Sequence, residues 1–204
     1  MKKILDLINS YGFFVIKIFL YEFFFILLGY KGNNFVIRNN KFSTDTIPSP
    51  YFFLHEIYTV IKKKNVRSLI DLGCGNGRVI NFFNRKLKIN YTGVELFTDS
   101  FLSCRKMFKM YKKVKIINQN FFDIKIKNLK YDCYFINDPT KNLKDHNLLI
   151  KNLFLAQRHS KKPFYFILVN LTEKKLKIFN KFYLIKCRKI YNRGYYIYSS
   201  QKFN

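Results

Sequence analysis

The chain has 204 residues, enough for one domain with a sizeable hydrophobic core. Its 38 Lys and Arg residues against 12 Asp and Glu residues give a formal net charge of +26, which favours anionic partners such as RNA, DNA or an acidic membrane surface. The charge alone assigns no partner, because Lys, Asn, Ile, Phe and Tyr are abundant together and Trp is absent, as codon bias in an AT-rich genome produces.

An almost uninterrupted apolar run covers residues 12–29 and predicts a helix that is membrane-associated or packed on the rest of the chain. Its length is close to that of a bilayer span, but Lys17 and Glu22 lie inside it and each costs about 2.5–3.5 kcal/mol near the bilayer centre. A cleaved signal peptide is not expected, because Asp6 and Asn9 interrupt the early region. The predicted location is cytoplasmic, with membrane association through residues 12–29 as the open alternative.

A polar stretch over residues 31–45 reads as a linker and divides the chain into two predicted parts. Residues 1–41 form the apolar helix and its linker, and residues 42–204 form one larger domain. The prolines of Pro48-Ser49-Pro50 predict an extended or turn segment, and apolar residues at helical spacing predict a helix over residues 51–65.

From residue 68 onward, strand and helix patterns alternate with short connections, which predicts a parallel sheet covered on both faces. The end of the chain differs, because two β-rich runs joined by Tyr191-Asn192-Arg193 predict a hairpin. The predicted strands are residues 68–72, 90–95, 113–118, 131–137, 164–170, 182–190 and 194–199, and the predicted helices are residues 78–86, 100–111 and 142–157.

The first predicted strand leads into glycines at alternate positions, Gly73, Gly75 and Gly77, shortly after Asp71. Such glycines let the backbone turn tightly and approach a ligand, and the following helix N-terminus offers free N–H groups to it. The dinucleotide fingerprint G-x-G-x-x-G would need glycine at position 78, which is Arg78. The spacing therefore disfavours a nicotinamide-dependent oxidoreductase.

The string Asp71-x-Gly73-x-Gly75-x-Gly77 resembles the first motif of class I S-adenosylmethionine (SAM) dependent methyltransferases. The α/β units closed by a hairpin are similar to the sheet of that superfamily. The resemblance covers roughly residues 42–199. It implies an α/β, Rossmann-like class I methyltransferase fold with a mostly parallel seven-stranded sheet closed by an antiparallel hairpin, plus the apolar N-terminal helix. Pro48-Ser49-Pro50-Tyr51 resembles a segment that lies over the cofactor in small bacterial and membrane-anchored protein-lysine methyltransferases.

The resemblance implies SAM as the cofactor. It also implies that the methionine, ribose and adenine parts of SAM are bound at the ends of different strands. Glu95 ends the second strand, where an acidic residue accepts two hydrogen bonds from ribose hydroxyls. After the third strand, Asn120 or Asp123 would meet the adenine amine, and Phe121 or Phe122 would pack on the ring. The predicted cofactor-binding residues are Asp71, Gly73, Cys74, Gly75, Gly77, Glu95, Asn120 and Asp123.

The fourth strand ends in Asn137-Asp138-Pro139-Thr140, which partly resembles the Asn/Asp-Pro-Pro-aromatic motif of amino-group methyltransferases. Asp138 stands in place of a proline and Thr140 in place of the aromatic residue that stacks on a base, so adenine or cytosine methylation is not supported. An amide oxygen here can orient an amine, and Asp138 can act as a base or bind a cationic amine. The predicted catalytic residues are Asn137 and Asp138, and the predicted substrate-site residues are Tyr51, Pro139 and Asn170.

The predicted function is SAM-dependent methyl transfer to an amine, with protein lysine as the first acceptor and RNA or a lipid or small molecule as alternatives. A catalytically silent, membrane-attached SAM-binding module is a further alternative, because the Asn-Asp-Pro-Thr motif is imperfect. The expected partners are the methyl acceptor and an anionic membrane surface. No metal is expected, because the four cysteines form no C-x-x-C pair and have no ligand spacing with the three histidines, which also favours a reducing compartment.

Overall fold

The computed structural model describes residues 12–32, 47–190 and 193–202. Its centre is a seven-stranded sheet in the order β3-β2-β1-β4-β5-β7-β6. Strands β1 to β5 are parallel, whereas β7 runs antiparallel to both β5 and β6. The strands are β1 (Ser68–Leu72), β2 (Asn90–Glu95), β3 (Val114–Asn118), β4 (Cys133–Asn137), β5 (Tyr165–Val169), β6 (Tyr183–Ile190) and β7 (Arg193–Ser199).

This architecture confirms the predicted fold class, with small shifts at the strand ends. Tyr191 and Asn192 of the predicted hairpin turn lie outside the described residues, as do Asp6, Asn9 and the predicted domain boundary between residues 41 and 42. The helices are α1 (Val15–Leu27), α2 (Tyr51–Ile61), α3 (Arg78–Asn84), α4 (Thr98–Met107), α5 (Leu143–Gln157) and α6 (Glu173–Leu176).

Both faces of the sheet are covered, because alternate residues of each central strand enter different hydrophobic clusters. Leu69 of β1 and Phe135 of β4 belong to the cluster that contains buried residues of α1, α2 and α3. Ile70 of β1 and Tyr134 of β4 belong to the second cluster, which α5 covers. The nearly continuous apolar sequence of the central strands follows from this two-sided burial.

Helix α1 packs on the domain through one face. Its residues Val15, Ile18 and Phe25 are buried, and the Phe25 ring stacks on Tyr51 at a centroid distance of 5.1 Å. Glu22 accepts a hydrogen bond from the Tyr51 backbone N–H at 2.8 Å, which fixes α1 to the start of α2. None of the helices in the described part of the chain is both long and apolar enough to cross a bilayer.

The carboxyl ends of the parallel strands lie at one edge of the sheet. The register places Glu95 opposite Asn118 and Asn137 opposite Val169, so the polar residues that end β2, β3 and β4 share this edge. In open α/β sheets the ligand site is formed at this edge, outside the strand ends.

Candidate active site

The glycine loop after β1 is folded back onto the end of β2. Gly73 and Cys74 donate their backbone N–H groups to the carbonyl of Val94, at 2.9 and 3.0 Å. Gly77 has a φ of 81° and precedes α3, and a Cβ atom there would lie 2.7 Å from the sulfur of Cys104. Glycine at position 77 is therefore required both by the backbone conformation and by the close approach of α4.

A cleft of about 950 Å³, counted with its open mouth, lies over this loop. Its walls come from the glycine loop, the end of β2, the turn after β3, the end of β4 and the segment around Pro48. The predicted site residues that line it are Asp71, Gly73, Cys74, Gly75, Glu95, Asn120, Asn137 and Pro139, and those that do not are Tyr51, Gly77, Asp123, Asp138 and Asn170.

Asp71 is buried below the glycine loop, and its Oδ2 atom has no hydrogen-bond partner among the described residues. Burial, and secondarily the nearby carboxylate of Glu95, raises the pKa of Asp71 to about 8. A buried carboxyl group with an unpartnered oxygen at a cleft wall fits a ligand that carries positive charge. The ammonium group of the methionine part of SAM is such a charge, so the residues present fit this cofactor.

Glu95 ties the loop to the strand ends through both carboxylate oxygens. Oε2 accepts from the Gly75 N–H at 2.7 Å, and Oε1 accepts from the Phe97 N–H at 2.9 Å. Glu95 also lines the cleft, so a ligand bound there lies beside this carboxylate. The position of Glu95 in the sequence predicts only the ribose role, because the pairing with Gly75 depends on how the loop folds.

The turn after β3 forms the opposite wall of the cleft. The Asn120 side chain accepts from the Phe122 N–H at 3.0 Å and so fixes the turn, and the rings of Phe121 and Phe122 lie 4.6 Å apart. Asn120, Phe121 and Phe122 line the cleft, whereas Asp123 is exposed outside its wall.

Asn137 is held at the cleft edge by two hydrogen bonds. Its Nδ2 donates to the carbonyl of Ile47 at 2.8 Å, and its Oδ1 accepts from Nδ2 of Asn170 at 3.1 Å. Asn170 Oδ1 is buried and has no hydrogen-bond partner among the described residues. Asp138 and Asn170 have φ angles of 42° and 59°, so two non-glycine residues in the left-handed region lie beside the cleft edge. Such backbone strain concentrates at functional sites.

Lys175 is a site residue that the sequence analysis missed. Its buried ammonium group donates to Asp138 Oδ1 at 2.5 Å and to the carbonyl of Thr140. Burial raises the pKa of Asp138, although the hydrogen bond and the charge of Lys175 oppose the rise. Asp138 does not line the cleft, and its carboxylate is paired with Lys175. This geometry argues against Asp138 as a base. No sequence signal distinguishes Lys175 from the other lysines around it.

Arg78 connects the N-terminal helix to the cleft. Its guanidinium group donates to Glu22 Oε2 at 2.7 Å and to the carbonyl of Ser49 at 3.1 Å, and it lies 4.3 Å from the ring centroid of Tyr51. Tyr51 itself is buried behind the cleft wall and donates its hydroxyl to the carbonyl of Lys31. Position 78 entered the sequence analysis only as a missing glycine, since its partners are distant in the chain.

Comparison with known proteins agrees with this geometry. The family model of a methyltransferase domain matches residues 70–157, from β1 to the end of α5. An RNA methyltransferase from Salinibacter ruber in complex with S-adenosylhomocysteine has a TM-score of 0.59 at 14% identity, covering 78% of this chain and 96% of that chain. The N-methyltransferase NodS from Bradyrhizobium japonicum, in the same kind of complex, has a TM-score of 0.60 at 7% identity, covering 74% and 86%. No curated protein is significantly similar in sequence.

The sheet order, the closing hairpin and the glycine loop define the class I methyltransferase fold. Together with this fold, the match of residues 70–157 to the methyltransferase-domain model supports a SAM-dependent methyltransferase. Across residues 12–32, 47–190 and 193–202, no group of three or more His, Cys, Asp or Glu side chains could hold a metal ion.

Proposed function

We propose that the protein transfers the methyl group of SAM to an amine nitrogen, with a protein lysine as the foremost acceptor class. The observation that carries this proposal is the pair of amides at the cleft edge, Asn137 and Asn170. Asn137 lines the cleft, and its Oδ1 atom, which Asn170 Nδ2 orients at 3.1 Å, has a second lone pair that can accept an N–H of a neutral amine and so direct the amine lone pair. Asn170 itself does not line the cleft, so its part in the proposal is to hold the Asn137 amide in place.

The proposed cofactor contacts follow the cleft wall. Asp71 would meet the methionine ammonium group, and the loop of Gly73, Cys74 and Gly75 would contact the methionine part through its backbone. Glu95 would accept the ribose hydroxyls, and Asn120 would meet the adenine with Phe121 or Phe122 against the ring. Gly77 supports the loop without lining the cleft, and Asp123 takes no part in this proposal because of its exposed position.

SAM supplies a methyl group that is activated by its positively charged sulfur. The amine lone pair forms the new N–C bond while the C–S bond breaks, and the sulfur leaves with that electron pair. The acceptor must arrive unprotonated, because an ammonium group has no lone pair. Lys175 holds Asp138 in an ion pair, so we propose that the acceptor amine loses its proton to solvent before it binds. Asp138 then has a structural role in the turn that contains Asn137 and Pro139. The chain contributes orientation and exclusion of water.

Three alternatives remain within the proposal. RNA is supported by the net charge of +26 and by the fold shared with the Salinibacter RNA methyltransferase. A lipid or small molecule is supported by the exposed apolar side chains of α1. A silent binding module would bind SAM without turnover. Cytoplasmic location stays a prediction from cysteine use.

The proposal is tested by incubating the full chain with methyl-labelled SAM and cell extract, followed by separation into protein, RNA, lipid and small-molecule fractions. Label in the protein fraction, above that of a Gly75→Arg control, supports an amine acceptor on protein. Label confined to the RNA or the lipid fraction would contradict a protein acceptor and would identify RNA or lipid as the acceptor class instead. SAM binding without label in any fraction would favour the silent module.

A further inference from the structure

The outward face of α1 is apolar, although its inward face already packs on the domain. Ile16, Leu20, Phe23 and Leu27 follow one another at the spacing of a single helix face, and their side chains are 62%, 65%, 63% and 69% exposed. Here they are called the outer stripe. Surface helices of globular proteins normally present polar residues on this face, and large exposed apolar patches mark interaction sites.

The outer stripe cannot be buried by rotation of α1. The buried residues Val15, Ile18 and Phe25 anchor the opposite face, and Glu22 is bonded to Arg78 and to the Tyr51 N–H. Glu22 is also the single acidic residue in the sequence of α1. Because its charge points inward and is paired with Arg78, the outward face carries no negative charge that would repel an anionic surface.

Positive charges border the outer stripe. Lys17 is exposed on α1 itself, and its ammonium group lies 5.0 Å from the ring centroid of Phe52. Arg85 donates to the carbonyls of Leu28 and Gly29 at the C-terminal end of α1, and Lys31 is exposed immediately beyond. The nearby carboxylate of Glu56 is paired with Arg188. The stripe is thus an apolar surface with a basic border.

We propose that the outer stripe docks the protein onto an anionic lipid bilayer, with α1 lying in the plane of the interface. Apolar side chains would enter the boundary between headgroups and acyl chains, while Lys17, Lys31 and Arg85 would meet lipid phosphates and carboxylates. Long basic side chains can keep their charged ends in the headgroup layer while their stems cover apolar surface. The inference goes beyond the proposed function, because it requires no particular methyl acceptor.

The charge distribution favours lipid over a second copy of the chain. Two copies joined through the outer stripe would bring their basic borders together, which costs free energy, whereas anionic headgroups gain from the same border. Each Lys or Arg close to an anionic bilayer increases binding by about fivefold, and salt weakens this term. The predicted binding is therefore specific for anionic lipid and sensitive to ionic strength.

The test compares full chains in sedimentation with phosphatidylcholine vesicles that contain either no anionic lipid or about one third phosphatidylserine. The variant Leu20→Ser/Phe23→Ser removes two large side chains of the outer stripe. The matched control, Leu102→Ser/Met110→Ser, removes two exposed apolar side chains elsewhere, 54% and 85% exposed in the native chain. We expect the native chain and the control to bind the anionic vesicles, and the stripe variant to bind at least about tenfold more weakly.

Equal binding of the stripe variant and the control would overturn the proposal. The same result is expected if another segment of the chain covers the outer stripe. The proposal would also be overturned, in favour of self-association, if the native chain did not bind vesicles and was a dimer in analytical ultracentrifugation while the stripe variant was a monomer. Binding to neutral vesicles as strongly as to anionic ones would also contradict it. SAM binding by calorimetry is expected to be equal in all three proteins, which separates this test from that of the active site.

Discussion

The side-chain amide of Asn170 donates a hydrogen bond of 3.1 Å to Oδ1 of Asn137, from the end of β5 to the end of β4. A second hydrogen bond joins Nδ2 of Asn137 to the carbonyl of Ile47. The two bonds fix the orientation of the Asn137 amide at the edge of the cleft. The edge predicted to receive the acceptor is therefore preorganised by residues from two strand ends and from the segment before α2.

Removing the Asn170 amide is expected to slow methyl transfer without affecting the cofactor. Asn170→Gly tolerates the φ of 59° and deletes the amide, so we expect kcat to fall at least about tenfold while the Kd for SAM stays unchanged. Asn170→Ala should match this rate and also lose about 1 kcal/mol of stability, because alanine is strained in the left-handed region. Calorimetry for SAM, steady-state kinetics and urea unfolding check the two variants. An unchanged kcat in Asn170→Gly would refute the positioning role.

Replacing Lys175 is expected to destabilise the fold. Lys175→Met leaves the Asp138 carboxylate without its buried cation, which we expect to cost about 2–4 kcal/mol of unfolding free energy in urea. Lys174→Met, at the exposed neighbouring lysine, is the matched control and should change stability by less than about 0.5 kcal/mol. Adding Asp138→Asn to Lys175→Met should restore part of the loss, because it removes the unpaired charge. Additive effects in this double-mutant cycle would contradict a direct pair.

The raised pKa of Asp71 predicts a pH dependence of stability. The carboxyl group has its ordinary pKa of 3.8 in the unfolded chain and a pKa of about 8 in the folded one, so the folded state binds the proton more tightly between these values. The stabilising contribution is fully present below the unfolded pKa and is lost as pH rises through the folded pKa, by about 1.4 kcal/mol per pH unit at most. Unfolding of the SAM-free protein at several pH values should show this loss relative to Asp71→Asn. Parallel curves for the two proteins would show that Asp71 titrates normally.

Gly75→Arg is expected to abolish SAM binding while the domain stays folded. The loop backbone lines the cleft at this position, so a long side chain would occupy the space of the methionine part. Gly75 has a φ of 51°, so a control for backbone strain alone is needed. Gly29→Ala supplies it, because Gly29 has a φ of 73° with open space around it and lies outside the cleft. Calorimetry should detect SAM binding in Gly29→Ala only, and binding by both variants would sink the site assignment.

The parts of the molecule that were predicted from the sequence rest on local patterns. Strand and helix alternation, the closing hairpin and the loop of Gly73, Gly75 and Gly77 each depend on neighbours within a few residues. The contacts of Lys175 with Asp138 and of Arg78 with Glu22 join residues far apart in the chain, and no spacing rule indicates them. Glu22 entered the prediction as a charge inside an apolar run, whereas in the fold it is neutralised by Arg78 and faces inward.

The central claim is methyl transfer to an amine oriented by Asn137. Its most direct test is a comparison of the native chain with Asn137→Ala, at saturating methyl-labelled SAM and with extract protein as acceptor, followed by acid hydrolysis and amino-acid analysis. We predict label in methylated lysine from the native chain and at least about a tenfold lower rate from Asn137→Ala, with SAM binding intact in both. Label in a different amino acid, or an equal rate from the two proteins, would contradict the account.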